Sequence, residues 1–180
     1  MALHEQSVGA TDEWYTPAYV FEAMGLRFDL DVSHPEVKIP ATEWCAALIT
    51  SRSLDRPWFG TVWMNPPFGG RNGIAPWLAK FFDHGNGVAL VPDRTSAPWW
   101  QTYAPKTDRL LFVARKIRFL RPDGTEGASP AQGTVLMAKG AAAVAALERA
   151  EAAGLGLCFS RPEDDRGAPS PRPSYVPTGT

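Results

Sequence analysis

The chain has no apolar run long enough to cross a membrane, and residues 1–9 contain no apolar segment resembling a signal peptide. Cysteine is scarce. Cys45 and Cys158 lie far apart and show no metal-ligand spacing, so neither a disulfide framework nor a structural zinc is expected, and no metal site is predicted. An excess of positive charge is missing too: 18 Lys and Arg stand against 19 Asp and Glu, a formal net charge of −1. No global field therefore recruits nucleic acid, and any such contact must come from a local cluster. Repeats are also lacking. The seven tryptophans, Trp14, Trp44, Trp58, Trp63, Trp77, Trp99 and Trp100, follow no fixed period, which argues against a solenoid or propeller and for core or pocket-wall positions. What remains is a reduced, cytoplasmic, globular chain of 180 residues, enough for one domain with one sizeable core.

Residues 1–10 are expected to be flexible, and residues 161–180, rich in Pro, Ser, Gly and charge, to form a disordered tail, leaving a domain over 11–160. Thr16-Pro17 suits a helix start, with Thr16 as cap and Pro17 preset for the first turn, and Gly25 suits its stop. Residues 27–32 alternate Phe28, Leu30 and Val32 with Arg27, Asp29 and Asp31, as a strand does, and His34-Pro35 breaks it. Residues 42–48 read as a short helix. A brief apolar strand over 61–64 runs directly into Asn65; a helix is expected over 74–84, a buried strand over 87–91 and a short helix over 98–103. Residues 110–113, 117–120 and 134–138 read as strands, 141–153 as a helix of high propensity, and 155–159 as a last strand. Strands alternating with helices imply an α/β sheet covered by helices. Ligands of such sheets bind beyond the carboxyl ends of the strands, and Asp31 and Asn65 stand at two such ends.

Asn65-Pro66-Pro67-Phe68 is the stretch with the most chemical content. Two prolines fix two φ angles and remove two backbone donors, and each drives the residue before it toward extended backbone. The product is a rigid ledge rich in carbonyl oxygens, with the Asn65 side-chain oxygen beside it and the flat face of Phe68 at its end. An exocyclic amine carries two N–H donors and a lone pair delocalised into its ring. Acceptors at the Asn65 side chain and the Pro66 carbonyl suit both hydrogens and would free the lone pair to attack an electrophilic methyl group. Phe68 suits stacking on a base extruded from a duplex. Catalysis of this kind is positioning plus electrostatics, with no covalent intermediate.

At this point the sequence resembles the phage-type DNA N6-adenine methyltransferases, the Dam-like enzymes. Asp12-Glu13-Trp14-Tyr15-Thr16-Pro17 is similar to the family's Trp-x-Thr-Pro segment, and Phe28-Asp29-Leu30-Asp31 to its first strand, which ends in an acid. Trp63-Met64-Asn65-Pro66-Pro67-Phe68 resembles the catalytic motif, in which tyrosine is the commoner fourth residue. Leu90-Val91-Pro92-Asp93-Arg94-Thr95 with Trp99, and Arg115-Lys116-Ile117-Arg118-Phe119, resemble two later segments, so the likeness runs from about residue 12 to 138. It implies a Rossmann-like, S-adenosylmethionine-dependent methyltransferase fold in an abbreviated single domain, acting on DNA in a bacterial host and encoded by a phage or prophage. It implies catalytic roles for Asn65, Pro66, Pro67 and Phe68, and a cofactor pocket lined by Thr16, Pro17, Asp29 and Asp31. The sequence departs from the family where Val32-Ser33-His34 replaces smaller residues, and no Gly-x-Gly loop follows the first strand.

For DNA, Arg94 and the cluster Arg115, Lys116, Arg118 and Arg121 are the candidate contacts, with residues 121–132 as a candidate mobile loop against the duplex. The competing expectations are a charged strand edge and an unconstrained surface loop. Among functions, the runners-up are methylation of cytosine N4 or of a protein amine, and an inactive DNA-binding or phage assembly module that keeps the fold. Target sequence and oligomeric state are not legible.

Overall fold

A computed structural model of the chain describes residues 14–34, 44–68 and 73–160. The expectations for residues 1–10 and 161–180 lie outside the described residues. Helix α1 (Ala18–Met24) leads into β1 (Phe28–Asp31), then β2 (Cys45–Leu48), β3 (Val62–Met64), α2 (Ala75–His84), β4 (Gly87–Pro92), α3 (Pro98–Tyr103), β5 (Arg109–Val113), β6 (Thr134–Lys139), α4 (Ala141–Ala152) and β7 (Gly156–Phe159). The strands form one seven-stranded mixed sheet in the order β2-β1-β3-β4-β6-β5-β7. β2, β1, β3 and β4 run parallel, β6 lies antiparallel between β4 and β5, and β7 pairs antiparallel with β5.

Period-two alternation distributes this sheet's side chains between two apolar layers. Val88 and Leu90 of β4, with Leu136 and Ala138 of β6, pack on one side with Val20, Phe21 and Met24 of α1 and Ala143, Ala146 and Leu147 of α4. Ala89, Val91, Val135 and Met137 face the other side with Leu78 and Phe81 of α2 and Trp100 of α3. Helices thus cover both faces, and β4 is buried along its whole length, as a central parallel strand should be. Burying each large side chain here is worth about 1.5–3 kcal/mol.

Two local expectations are corrected. Residues 45–48, read as part of a helix over 42–48, form β2 instead, with Phe28 opposite Cys45 and Leu30 opposite Ala47 (Thr42 and Glu43 lie outside the described residues). The alanines favour a helix, but pairing with β1 outweighs a propensity worth tenths of a kcal/mol per residue. Residues 117–120 alternate because Ile117 and Phe119 are buried, yet they form no strand; Leu120 makes isolated bridges to Tyr15 and Glu126. Alternating burial reports which side chains point inward, not whether a neighbour supplies a ladder.

The topology has one consequence for ligands. From β1 the chain moves outward to β2, then returns to the opposite side of β1 to form β3. The carboxyl ends of β1 and β3 therefore flank a point where the winding direction reverses, where open α/β sheets bind ligands.

Candidate active site

Asp31 ends β1 and Asn65 follows the last residue of β3. The strands are in register, Asp31 opposite Trp63, so the two polar groups come to the same edge. They line a cleft with Trp14, Tyr15, Thr16, Phe21, Ser33, His34, Cys45 and Trp63, and its described walls enclose about 30 Å³. That is room for one or two water molecules. His34, just past the end of β1, is buried in the wall with its ring 5.7 Å from that of Tyr15, edge to face.

Asn65 is held at two atoms. Its backbone N–H donates to Ser33 Oγ at 2.7 Å, and its side-chain Nδ2 donates to Thr16 Oγ1 at 3.3 Å. Among the described residues its Oδ1 has no hydrogen-bond partner. Pro66 is buried, whereas Pro67 and Phe68 are exposed at the lip. Thr16 does not cap α1 as expected: Pro17 occupies the cap position with φ −61° and ψ 148°, and no side chain caps the helix. The Thr16 hydroxyl is turned to Asn65 instead.

Asp31 is buried, and burial lifts its carboxyl to about 7 despite backbone and hydroxyl donation from Ser33, whose N–H lies 3.0 Å from Oδ1. Burial, and secondarily the Asp31 charge, push the Cys45 thiol up, which keeps it a neutral wall residue rather than a nucleophile. Asp29, grouped with the cofactor residues from the sequence, stands outside this cleft. Its Oδ2 accepts the Thr61 N–H at 2.7 Å, and a Cβ on Gly60, at φ +62°, would meet that oxygen at 2.2 Å. Alternation does not separate the two acids, which are two residues apart on one strand; Asp29 lies about 6–7 Å farther back along β1, where its carboxylate meets the turn entering β3.

The basic residues are mostly engaged. Arg94 Nε donates to Gln132 Oε1 at 2.7 Å, Lys116 Nζ to the Ala131 carbonyl at 2.8 Å, and Arg118 pairs with Glu126 at 3.6 Å. Arg121 donates to the Glu126 carbonyl and to Thr125. Residues 121–132 are therefore tied back to the domain by three basic side chains, with Arg121 bonding within the segment, rather than left as a free loop. Arg115 is exposed and without a described partner. This segment adjoins the cleft, since Leu120 and Tyr15 exchange backbone hydrogen bonds of 3.0 and 2.9 Å.

The sequence reading missed Ser33, although its place two residues after Asp31 is the spacing of an Asx turn, a readable signal. A larger hollow of about 540 Å³ lies against α2 and α3, lined in part by Phe82, Tyr103, Lys106 and Lys139. Lys139 pairs with Gly87 at the opposite end of the parallel strands, and the hollow contains no residue of the Asn65 cleft. Among the described residues no group of three or more His, Cys, Asp or Glu is placed to hold a metal, and no helix is long and apolar enough to cross a membrane.

The profile of the DNA N-6-adenine-methyltransferase (Dam) family matches residues 5–142, a span that includes the Thr16-Pro17 segment, β1, β3 and the whole Asn65-to-Phe68 motif. Among curated proteins and among solved structures, nothing matches the chain. With more than half of its length matched to that profile, the chain belongs to the DNA N-6-adenine-methyltransferase (Dam) family.

Proposed function

We propose that this protein is a Rossmann-like DNA adenine-N6 methyltransferase that moves a methyl group from S-adenosylmethionine to an adenine extruded from the duplex. The observation that carries the reading is the meeting of Asn65-Pro66-Pro67-Phe68 with the Asp31 carboxyl at the carboxyl ends of two adjacent parallel strands, where the winding of the sheet reverses. Membership of the Dam family supplies the substrate class.

The donor set fits the cofactor. Asp31 is a buried carboxyl at a strand end, a good acceptor for an ammonium or hydroxyl group, and Ser33 adds a hydroxyl beside it. Most of a nucleoside-sized ligand would lie outside the small enclosed volume, against the open side of the cleft. When bound, S-adenosylmethionine supplies an electrophilic methyl on a sulfonium sulfur. The residues of this chain do the positioning. Asn65 Oδ1 and the Pro66 carbonyl accept the two amine hydrogens, which draws the nitrogen lone pair out of the ring. The prolines hold the ledge backbone and Thr16 holds the Asn65 amide, so little reorganisation is needed as the new C–N bond forms. The amine would give up one proton to solvent as it takes up the methyl group, with the demethylated thioether as the leaving group. Phe68, exposed at the lip, offers a face on which the base stacks.

The segment that follows Arg115 reaches the cleft through the Tyr15–Leu120 pairing, and the exposed Arg115 would meet the DNA backbone. Transfer of labelled methyl to an adenine-containing duplex, with none to a duplex of guanine and cytosine only, is the expected result. Equal labelling of both would assign the cytosine amine instead. No labelling of either, with no heat of S-adenosylmethionine binding, would make the chain an inactive module of the family.

A further inference from the structure

Thr16 comes from the segment before α1, forty-nine residues from Asn65, yet its hydroxyl oxygen takes the Asn65 Nδ2 hydrogen at 3.3 Å. A side-chain amide can be turned either way. One orientation presents a carbonyl oxygen to a ligand, the other an NH₂ group, and an amine that must donate both its hydrogens is served only by the first. We propose that Thr16 is a positioning residue that sets the Asn65 amide with its oxygen facing the substrate amine. The inference rests on the methyltransferase reading for the identity of that amine, but the orientation itself does not depend on it.

The backbone shows why Thr16 can hold that place. Both partners precede a proline, Thr16 before Pro17 and Asn65 before Pro66, so both are restricted to extended backbone. Thr16 is further fixed on its N-terminal side by the two hydrogen bonds between Tyr15 and Leu120, and on its C-terminal side by the start of α1. Asn65 is fixed from the opposite side by Ser33 Oγ. With Thr16 only 5% exposed, little water competes for the Asn65 Nδ2 hydrogen. The same geometry explains why the hydroxyl is not spent on capping α1.

The test uses the full chain labelled with ¹⁵N and the variants Thr16→Val and Thr16→Ser, with Thr16→Ala standing in if the valine variant does not fold. Asn65→Asp, which lacks the side-chain NH₂, identifies the Asn65 side-chain signals by their disappearance. Those signals are expected to shift in Thr16→Val and to return near their original positions in Thr16→Ser. In parallel, kcat for methyl transfer should fall by roughly tenfold or more in Thr16→Val and recover in Thr16→Ser, with the S-adenosylmethionine Kd changed by less than about threefold. Unmoved Asn65 signals in Thr16→Val would overturn the proposal, as would an unchanged kcat. A loss carried wholly by weaker S-adenosylmethionine binding would also overturn it and make Thr16 a cofactor contact. If the unaltered protein transfers no methyl to DNA, the functional reading falls while the NMR result still decides whether Thr16 holds the Asn65 amide.

Discussion

The backbone N–H of Asn65 donates to Ser33 Oγ across 2.7 Å, joining the end of β3 to the turn that follows β1. Ser33 in turn donates its N–H to Asp31, so one short side chain connects the two polar groups of the cleft. Ser33→Ala is expected to leave the Asn65 N–H without its acceptor, destabilising the fold by about 1–3 kcal/mol. It should also lower kcat by more than it raises any KM, because the start of the double-proline ledge would shift. Urea unfolding together with steady-state kinetics checks this, and wild-type values for both would show that the ledge is held by the prolines alone.

Asp31 makes the site sensitive to pH. Burial raises its carboxyl from 3.8 to about 7, so between those values the folded protein keeps a proton that the unfolded chain has lost. The stability from this group is complete below about pH 4 and is lost as pH rises through 7, by at most about 4 kcal/mol. Asp31→Asn should flatten that dependence, gaining on the unaltered protein as pH rises from 5 to 8. Parallel urea-stability profiles for the two proteins would place the Asp31 charge in water rather than in the core. If the ionised form accepts from the cofactor, S-adenosylmethionine affinity should increase about tenfold between pH 6 and 8, and lose this dependence in Asp31→Asn.

Among the basic residues of the segment beside the cleft, Arg115 alone is without a described partner, whereas Lys116, Arg118 and Arg121 hold residues 121–132 in place. Arg115→Ala is expected to weaken DNA binding regardless of sequence and to reduce the slope of log affinity against log salt by about 0.9, the signature of one lost phosphate contact. Arg115→Lys should keep most of that slope. A slope unchanged in Arg115→Ala would move the DNA surface elsewhere.

The sequence made much of this legible, for physical reasons that differ by element. β4 could be read because it is a continuous apolar run of six residues, and α4 because its alanines and charges suit a helix on their own. Asn65 to Phe68 could be read because proline chemistry is local: the restriction it imposes does not depend on what packs against it. β2 could not, since Cys45-Ala46-Ala47-Leu48 becomes a strand only through β1, a neighbour that no local pattern reveals. The roles of Thr16 and Asp29 were hidden for the same reason. A hydroxyl beside a proline looks like a helix cap until Asn65 arrives from the end of β3, and an acid on a strand looks like a ligand until the Thr61 N–H is found beneath it. The basic cluster was visible, but not that most of it faces its own loop.

Nucleoside mass spectrometry of a duplex incubated with the protein and S-adenosylmethionine, run beside Asn65→Ala, bears most directly on the role given to the double-proline ledge. The account predicts N6-methyldeoxyadenosine as the product, its formation slowed at least roughly 10²-fold by Asn65→Ala while S-adenosylmethionine still binds. Undiminished product from Asn65→Ala, or a methyl found only on cytosine, would contradict it.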